Sequence, residues 1–318
     1  MKLFVTGGAG FIGSNYVRHV LDDTDDEVTV YDALTYAGNL STLKDVDDSP
    51  RFDFVKGNIG DRATLESAMA GHDAVVHFAA ESHVDRSIIG PDDFVNTNCF
   101  GTNVVMDTAR LLEIGRVIHI GTDEVYGSVE VGSSKETDPL EPRSPYSASK
   151  AGSDLIALSY HATYGLPVTV TRCTNNFGPY QYPEKAIPLF TTNLLDGRSI
   201  PLYGDGLNER DWLYVDDHCR AVHLVLTDGA AGEVYNIGAG NETPNRDLVD
   251  QLLALTGAGP DMIEYVADRL GHDRRYSVDI TKITALGWRK QRSLDEALVE
   301  TVAWYRDNRW WWEPLKGI

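Results

Sequence analysis

The chain has 318 residues, of which 42% are hydrophobic, so it can bury a large core as one α/β domain or as a large domain with a small one. Its 48 acidic and 28 basic residues give a formal net charge of −20. A surface this acidic repels nucleic acid and anionic membranes, and we expect neither as a partner. The three cysteines and nine histidines show no metal-ligand spacing, which favours reduced thiols, no metal site and a cytoplasmic protein.

Short β-rich runs alternate with helical stretches through the first half of the chain. The expected strands lie at residues 2–6, 27–32, 51–56, 74–78, 116–121 and 167–172. An amphipathic helix is expected from about residue 144 to residue 164, before the last of these strands. This alternation predicts a Rossmann-like α/β fold, a doubly wound parallel sheet with helices on both faces.

The second half is richer in Pro, Gly and Asn clusters and predicts a smaller, loop-rich lobe. Residues 212–215 and 233–237 still have strand-like sequences, so we expect the chain to return to the large sheet over about residues 211–237. The predicted division is a Rossmann domain of residues 1–172 and a discontinuous C-terminal lobe of residues 173–210 and 238–318. We expect the tryptophan run at residues 310–312 to attach the terminus to the core.

A glycine-rich turn at residues 6–13 stands between the first expected strand and a helix that begins near Phe11. Glycines in such a turn let the backbone approach a pyrophosphate, whose charge then meets the helix N-terminus. Asp32 closes the second strand, where it would accept a hydrogen bond from a ribose 2′-hydroxyl and repel a 2′-phosphate. The pattern therefore predicts NAD rather than NADP as the cofactor. The residues expected to bind it are Gly7, Gly10, Phe11, Ile12, Gly13, Asp32, Asn58, Ile59, Ala79 and Ala80, together with Tyr146 and Lys150.

A Tyr/Lys pair and two adjacent carboxylates follow in the chain. Tyr146 and Lys150 fall on one face of the expected helix, just past the strand that ends near Thr122. Lys150 and the positive nicotinamide ring would lower the pKa of Tyr146, making it a base for a sugar or alcohol hydroxyl. Asp123 and Glu124 would titrate as a coupled pair, so that one can stay protonated as an acid while the other works as a base. We expect these residues to move a hydride and several protons on one substrate. The expected catalytic residues are Thr122, Asp123, Glu124, Tyr146 and Lys150.

The runs at residues 6–13, 36–39, 79–87, 122–127, 146–150, 175–180 and 271–276 together resemble those of the dTDP-glucose 4,6-dehydratases. This family belongs to the extended short-chain dehydrogenase/reductase superfamily. The resemblance runs through nearly the whole chain, and the Thr-Asp-Glu triplet at residues 122–124 is its most specific part. Asn58 stands where the family usually has Asp, which leaves the adenine contact open.

The resemblance implies a redox-neutral dehydration of dTDP-glucose to dTDP-4-keto-6-deoxyglucose. Tyr146, assisted by Thr122 and Lys150, would take the proton of the 4-hydroxyl while a hydride leaves C4 for NAD. Glu124 would remove the C5 proton and Asp123 would protonate the departing C6 hydroxyl, after which the hydride returns to C6. NAD would therefore stay tightly bound and be regenerated in each turnover. The resemblance also implies a homodimer, packed through helices around residues 93–112 and 144–164.

The resemblance makes the C-terminal lobe the nucleotide-sugar-binding part. The substrate contacts that it implies are Ser82, Thr122, Asn175, Lys185, Arg210, Asn245, Arg275 and Tyr276. For Arg210, a surface ion pair with Glu209 or Asp211 remains an alternative.

Three other functions share parts of this pattern. A nucleotide-sugar 4-epimerase would have the same glycine turn and Tyr/Lys pair, but it eliminates no water and needs no acid such as Asp123. A UDP-glucose 4,6-dehydratase stays open, because uracil and thymine differ by one methyl, worth only about 1–3 kcal/mol in an apolar pocket. A non-catalytic NAD-binding protein would generally lack the Tyr/Lys pair.

Overall fold

The computed structural model describes residues 1–268 and 271–317. Its strands, numbered in chain order, are β1 (Lys2–Thr6), β2 (Glu27–Asp32), β3 (Phe52–Lys56), β4 (Ala74–His77), β5 (Arg116–Thr122), β6 (Val168–Cys173), β7 (Asn175–Phe177), β8 (Ile200–Tyr203), β9 (Glu209–Tyr214), β10 (Val234–Ile237), β11 (Glu242–Pro244) and β12 (Ile263–Val266). Its α-helices are α1 (Phe11–Asp23), α2 (Arg62–Met69), α3 (Val84–Ile89), α4 (Pro91–Phe94), α5 (Thr102–Leu111), α6 (Pro145–Tyr164), α7 (Ala186–Leu195), α8 (Val215–Asp228), α9 (Asn245–Thr256), α10 (Thr281–Ala285), α11 (Leu294–Asp307) and α12 (Arg309–Trp312). Shorter helical segments are the 3₁₀ turns Leu40–Leu43, Asp123–Tyr126, Pro260–Met262 and Glu313–Gly317 and the π-helical segment Val95–Gly101.

In the described part of the chain, seven strands form one parallel sheet in the order β10-β6-β5-β4-β1-β2-β3. Helices α1 and α8 pack against one face of this sheet, and α2, α5 and α6 pack against the other. Because both faces are covered, the central strands are nearly continuous runs of buried apolar residues. The predicted Rossmann-like fold is confirmed.

The strand order reverses between β1 and β4. From β1 the chain builds outward through β2 and β3, and it then crosses back to add β4, β5 and β6 on the other side of β1. The carboxyl ends of β1 and β4 therefore flank a crevice at the point of reversal, which is where doubly wound sheets bind their ligands.

One expected strand of the large sheet is wrong. Residues Glu209–Tyr214 form the strand β9, but it pairs with β7 and β11, which make up a separate three-stranded sheet in the described chain. The place beside β6 is taken by β10, which pairs in parallel with β6 near the expected position. Helix α8 also packs back onto the large sheet, so the return begins with this helix rather than with β9.

The C-terminal lobe has a hydrophobic core of its own. Helices α7, α9 and α11 pack around β9 and the parallel pair of β8 and β12. Trp311 and Trp312 are buried beside Tyr305, whereas Trp310 is half exposed, so two residues of the tryptophan run attach the terminus as expected. Within residues 1–268 and 271–317, no helix combines the length and the apolarity needed to cross a membrane.

Helix α6, which carries Tyr146 and Lys150, is fixed at both ends. The Ser144 hydroxyl accepts a hydrogen bond from the backbone N–H of Ser147 at 3.0 Å, and the Ser147 hydroxyl accepts one from the backbone N–H of Ser144 at 3.0 Å. The helix ends at Tyr164 and is capped by Gly165, whose φ of 72° is left-handed and suits glycine. Caps of this kind typically contribute about 1 kcal/mol. The N-terminal cap fixes the first turns of the helix, where Tyr146 and Lys150 share one face.

Candidate active site

A cleft of about 310 Å³ opens at the carboxyl edge of the large sheet. Its wall is built by the residues that follow β1 to β6, because parallel strands present all their carboxyl ends at one edge. Every residue expected to bind the cofactor lines this cleft, and so do the five expected catalytic residues. The sheet therefore brings the cofactor turn, the Thr-Asp-Glu triplet and the Tyr/Lys pair to one place.

The glycine turn leaves no room for side chains between β1 and α1. Gly7 has a φ of 72°, and a Cβ on it would lie 2.6 Å from the backbone nitrogen of Ala79. A Cβ on Gly13 would collide with the carbonyl oxygen of Gly7. The N-cap residue Gly10 places no side-chain cap over the first N–H groups of α1, and Phe11 at this helix start lines the cleft. A bare helix N-terminus in a cleft fits a pyrophosphate.

Asp32 is buried at the end of β2. Its Oδ2 accepts a hydrogen bond from the backbone N–H of Ala9 at 3.0 Å, and its Oδ1 accepts one from that of Leu34 at 2.8 Å. Burial raises the pKa of Asp32, and the two backbone donors oppose this rise. Gly38 packs against the carboxylate, since a Cβ there would lie 2.6 Å from Oδ1. An oriented carboxylate on the cleft wall fits a ribose hydroxyl.

The third and fourth strands position the remaining expected cofactor residues. After β3, Asn58 Oδ1 accepts a hydrogen bond from the backbone N–H of Gly60 at 2.8 Å, and Ile59 is buried. After β4, Ala79 and Ala80 present only methyl groups to the cleft. Small residues here leave the cleft open beside the glycine turn.

Tyr146 and Lys150 are buried side by side on α6. The ammonium of Lys150 donates a hydrogen bond to the carbonyl oxygen of Ile120 at 2.6 Å, and burial lowers the pKa of this ammonium. Burial raises the pKa of the Tyr146 phenol well above its ordinary value, the charge of Glu124 adds to this, and a hydrogen bond with Thr122 opposes it. The pKa of Tyr146 thus lies above its usual value because burial and the charge of Glu124 outweigh the hydrogen bond with Thr122.

Asp123 and Glu124 begin the 3₁₀ turn after β5. The Thr122 hydroxyl donates to Asp123 Oδ1 at 3.2 Å and accepts from the backbone N–H of Glu124 at 3.3 Å. Burial raises the pKa of Asp123 well above its ordinary value, the charges of Glu124 and Asp211 add to this, and Arg210 opposes it. Asp123 Oδ2 is buried and has no hydrogen-bond partner among the described residues. A carboxyl that keeps its proton in a cleft has the form that a general acid needs.

A buried ion pair supports Lys150 from one turn further along α6. Asp154 Oδ2 lies 2.8 Å from Arg172 Nε, and Asp154 Oδ1 lies 3.3 Å from His119 Nε2. Burial alone would raise the pKa of Asp154, but His119, Arg172 and Lys150 outweigh it and hold this pKa below its ordinary value. The charge of Asp154 in turn raises the pKa of Lys150 against the effect of burial.

Of the expected substrate residues, Ser82, Asn175 and Lys185 line the same cleft, as does Thr122. Lys185 Nζ donates to the carbonyl oxygen of Ser82 at 2.7 Å, which ties the loop after β4 to the start of α7. Asn175 Oδ1 is buried and has no hydrogen-bond partner in the part of the chain that the structure describes.

The other expected substrate residues do not line the cleft, namely Arg210, Asn245, Arg275 and Tyr276. Arg210 is 5% exposed, so the alternative of a surface ion pair is wrong. Its guanidinium carbon lies 4.2 Å from the centroid of the Tyr276 ring, and its Nη2 donates to the Asp273 carbonyl oxygen at 2.9 Å. Burial raises the pKa of Tyr276, and the charge of Glu124 is the next cause, so this pair lies near the Glu124 end of the site.

Arg275 and Asn245 lie in the C-terminal half of the chain, outside the cleft wall. Arg275 pairs with Glu242 at 3.1 Å and with Glu209 at 3.4 Å, and it also donates to the Gly132 carbonyl oxygen. Asn245 begins α9, and its Oδ1 is buried without a hydrogen-bond partner among the described residues. Their expected contacts with substrate stay predictions.

Comparison with known proteins supplies the family. The family model described as GDP-mannose 4,6 dehydratase matches residues 4–301. A dTDP-glucose 4,6-dehydratase of Streptomyces niveus is 55% identical over 323 residues, which cover 100% of this chain and 96% of the relative. The crystal structure of the dTDP-glucose 4,6-dehydratase DesIV from Streptomyces venezuelae, with NAD and TYD bound, matches with a TM-score of 0.97 at 57% identity, over 99% of this chain and 100% of that one. The chain belongs to the dTDP-glucose 4,6-dehydratase family.

Epimerases share the fold of this family but are less similar in sequence. The UDP-glucose 4-epimerase of Thermus thermophilus, in complex with NAD, matches with a TM-score of 0.90 at 29% identity, over 97% of this chain and 100% of that one. The fold and the Tyr/Lys pair therefore do not separate the two activities. A buried carboxyl such as Asp123 beside Glu124 would separate them if it acts as an acid, because elimination of water needs an acid as well as a base.

The cleft wall also contains residues that the sequence reasoning did not single out: Glu81, Thr97, Asn176, Gln181, Tyr182 and Glu184. The side-chain oxygens of Asn176 and Gln181 are buried, and neither has a hydrogen-bond partner within residues 1–268 and 271–317. Buried acceptors on a cleft wall are places for a ligand's donors. The sequence does indicate Asn176 and Gln181 in one respect: both lie in the polar stretch that follows β6, where residues of a parallel sheet reach the cleft.

Proposed function

We propose that this protein is an NAD-dependent hydro-lyase that converts dTDP-glucose to dTDP-4-keto-6-deoxyglucose and water. The observation that carries the proposal is the buried carboxyl of Asp123, with its raised pKa, beside Glu124 in the cleft that Tyr146 and Lys150 also line. Oxidation of an alcohol needs one base, whereas elimination of water needs a second base and an acid as well. The cleft holds a candidate for each role.

NAD fits the nucleotide half of the cleft. The glycine turn and the start of α1 would hold its pyrophosphate, and Asp32 would accept from its ribose. When bound, NAD supplies the acceptor that takes a hydride from C4 of the sugar and returns it to C6. A cofactor that is restored in each turnover need not leave, and the NAD in the DesIV structure supports a tightly bound cofactor here.

Tyr146 accepts the proton of the sugar 4-hydroxyl in this proposal. The Thr122 hydroxyl holds the phenol in place and opposes the rise in its pKa. Lys150 lies one helical turn away on the same face, and its positive charge favours a negative phenolate oxygen. The carbonyl of Ile120 fixes the Lys150 ammonium, so this charge is preorganised rather than mobile.

Glu124 and Asp123 carry out the elimination. Glu124 removes the C5 proton, and Asp123 gives its proton to the C6 hydroxyl, which leaves as water while the C5–C6 double bond forms. Glu124 then returns a proton to C5 as the hydride reaches C6. Tyr146 ends the cycle holding the proton of the 4-hydroxyl and Asp123 ends it ionised, so one proton transfer between them restores the site.

We propose that residues 1–172, with α8 and β10, form the NAD-binding domain, and that residues 173–210 and 238–318 form the nucleotide-sugar-binding lobe. Arg210 is the planar donor best suited to the substrate pyrophosphate. The remaining substrate contacts are Ser82, Thr122, Asn175, Lys185, Asn245, Arg275 and Tyr276. The favoured nucleotide is dTDP, as named for the relatives, with UDP-glucose as the alternative because a single methyl separates the bases.

We further propose a cytoplasmic homodimer. Exposed large apolar side chains gather along residues 95–111 and on α6, namely Val95, Phe100, Leu111, Leu155 and Tyr164. Helices α5 and α6 pack against each other, so these side chains lie on neighbouring elements, where an exposed apolar surface marks an interface. The free thiols of the cysteines suit a reducing compartment.

The chemical proposal is tested by replacing the acid and base together, with Asp123→Asn and Glu124→Gln. We expect this variant to keep NAD and to form NADH absorbance when dTDP-glucose is added, but to release no 4-keto-6-deoxy product. The matched control is Asp47→Asn with Asp48→Asn, which removes two adjacent exposed carboxylates away from the cleft. Full turnover by the Asp123/Glu124 variant would contradict the assigned elimination.

A further inference from the structure

Asp211 is a buried carboxylate that no step of the proposed reaction uses. It lies on β9 and is 2% exposed. Its Oδ2 accepts from the backbone N–H of Ala239 at 2.7 Å and from that of Gly240 at 3.3 Å, and its Oδ1 accepts from that of Asn241 at 3.1 Å. Consecutive N–H groups that converge on one carboxylate form an anion nest. Because N–H groups only donate, the ionised form of Asp211 is the one that satisfies them all.

Strand pairing places Asp211 behind the part of the cleft wall that carries Asp123. Asp123 follows the last residue of β5, which pairs with the last residue of β6. Thr174 comes next and lines the cleft, and the residue after it pairs with Trp212. A Cβ on Gly238 would lie 3.1 Å from the Thr174 side chain and 2.6 Å from the Asp211 carboxylate. Asp211 is therefore next to the wall, but it does not line the cleft.

Titratable groups face Asp123 from each element packed around it, namely Glu124 on its own turn, Arg210 and Asp211 on β9, Tyr146 on α6 and Cys173 on β6. Burial raises the pKa of Asp123 most, the charges of Glu124 and Asp211 add to this, and Arg210 opposes it. Burial also raises the pKa of Asp211, which the nest opposes. Glu124 loses its charge when it takes the C5 proton, so its effect on Asp123 changes during the cycle, whereas the nest holds Asp211 apart from the reacting atoms.

We propose that Asp211 is a positioning residue for the elimination: its negative charge, fixed by the amides of residues 239–241, keeps the proton on Asp123 until the C6 hydroxyl leaves. The same charge favours the return of a proton to Asp123 after each turnover. This inference rests on the proposed function and assigns to Asp211 no contact with the substrate.

The test compares Asp211→Asn with Asp217→Asn in the full chain with its NAD. Asp217 is a matched control because it is also a buried carboxylate, 1% exposed, that accepts from the backbone N–H groups of Gln291 at 2.8 Å and Arg292 at 3.2 Å. It does not line the cleft and is not among the groups that act on Asp123. Both variants lose a held carboxylate, but only Asp211→Asn changes the charge beside the proposed acid.

The decisive readout is the pH dependence of kcat for dehydration of dTDP-glucose. Its alkaline limb, where Asp123 loses its proton, should move to lower pH by about 1 unit in Asp211→Asn, the low end of what one nearby charge does, and should not move in Asp217→Asn. NADH should also accumulate in single turnovers of Asp211→Asn, because oxidation at C4 does not need the Asp123 proton.

The outcomes separate this inference from the function beneath it. If the wild type forms no 4-keto-6-deoxy sugar, the proposed function fails. If the wild type is active and the alkaline limbs of the two variants coincide, the role of Asp211 is refuted. If Asp211→Asn does not fold, Asp211→Ser is the second neutral variant, since its hydroxyl can still accept from the nest. A folded neutral variant with the wild-type limb overturns the inference, and recovery of that limb in the charged variant Asp211→Glu supports it.

Discussion

Replacing Asp154 by Asn should destabilise the protein strongly. Asp154 does not line the cleft, so the substitution removes no cleft residue. Asp154 is fully buried, its Oδ2 lies 2.8 Å from Arg172 Nε, and the Arg172 side chain is 4% exposed. Without the carboxylate, this guanidinium loses its buried counter-charge, and it still donates to the neutral Tyr126 hydroxyl at 2.8 Å and the Glu136 carbonyl at 3.4 Å. Removing one partner of a buried ion pair typically costs about 3–5 kcal/mol, because the other charge stays buried without compensation.

A loss of this size is a large part of the roughly 5–15 kcal/mol by which folded proteins are usually stable. Urea unfolding of the NAD-loaded protein should therefore show a midpoint about 1–2 M lower, for an m value of about 3 kcal/mol/M. The control is Asp107→Asn, a partly exposed carboxylate that pairs with Arg62 at 2.6 Å and Arg110 at 2.8 Å, and it should lower the midpoint far less. Equal midpoints for the two variants would refute the assignment of Asp154 as a compensated buried charge.

The stability lost in Asp154→Asn should depend on pH, and the direction follows from the pKa of Asp154. The pKa of Asp154 is held below its ordinary value in the folded state, so its contribution to stability is fully present above the unfolded pKa of about 3.9 and is lost as the pH falls through the folded value. The difference in unfolding free energy between wild type and Asp154→Asn should shrink in acid. Because the charge of Asp154 also raises the pKa of Lys150, the variant should lose activity at lower alkaline pH than the wild type.

Three further variants have expected outcomes. Gly13→Ala would drive a methyl group into the Gly7 carbonyl, so purified protein should carry little NAD and should not regain it by dialysis against the cofactor. Asp32→Asn should weaken NAD binding at least about tenfold in a calorimetric titration of the stripped protein, because a charged acceptor becomes a neutral one. Phe100→Glu with Leu155→Glu should give monomers in sedimentation experiments, since both side chains are more than half exposed on the proposed dimer surface. An unchanged sedimentation coefficient would place the interface elsewhere.

The fold was predictable because its signals are local. Each of the first six strands is a short apolar run between helical stretches, and parallel pairing then fixes that their ends meet at one edge. Asp32, Tyr146 and Lys150 were visible for the same reason, since each stands at a set place after a strand or on one helix face. The adjacency of Asp123 and Glu124 indicated an acid and a base, and the resemblance to the family added which of the two takes which role.

What the sequence could not indicate depends on contacts between distant segments. Asp211 lies in an acidic, strand-like stretch. Its contact with the N–H groups of residues 239–241 arises because β9 belongs to the small sheet with β11, which the sequence did not indicate. The sequence left a surface ion pair possible for Arg210, because the burial of a charged residue depends on the lobe packed over it. The raised pKa of Tyr146 has the same origin, since desolvation depends on the whole surrounding structure and not on Lys150 alone.

The central claim is that the chain dehydrates a nucleotide sugar with an NAD that it retains. The most direct test is mass spectrometry of dTDP-glucose, UDP-glucose and GDP-mannose after incubation with purified protein and no added NAD. We expect dTDP-glucose to lose one water, with slower or no loss from the other two. An unchanged mass for dTDP-glucose, also after NAD is added, would contradict the claim, and formation of the galactose isomer in that sample would show an epimerase instead.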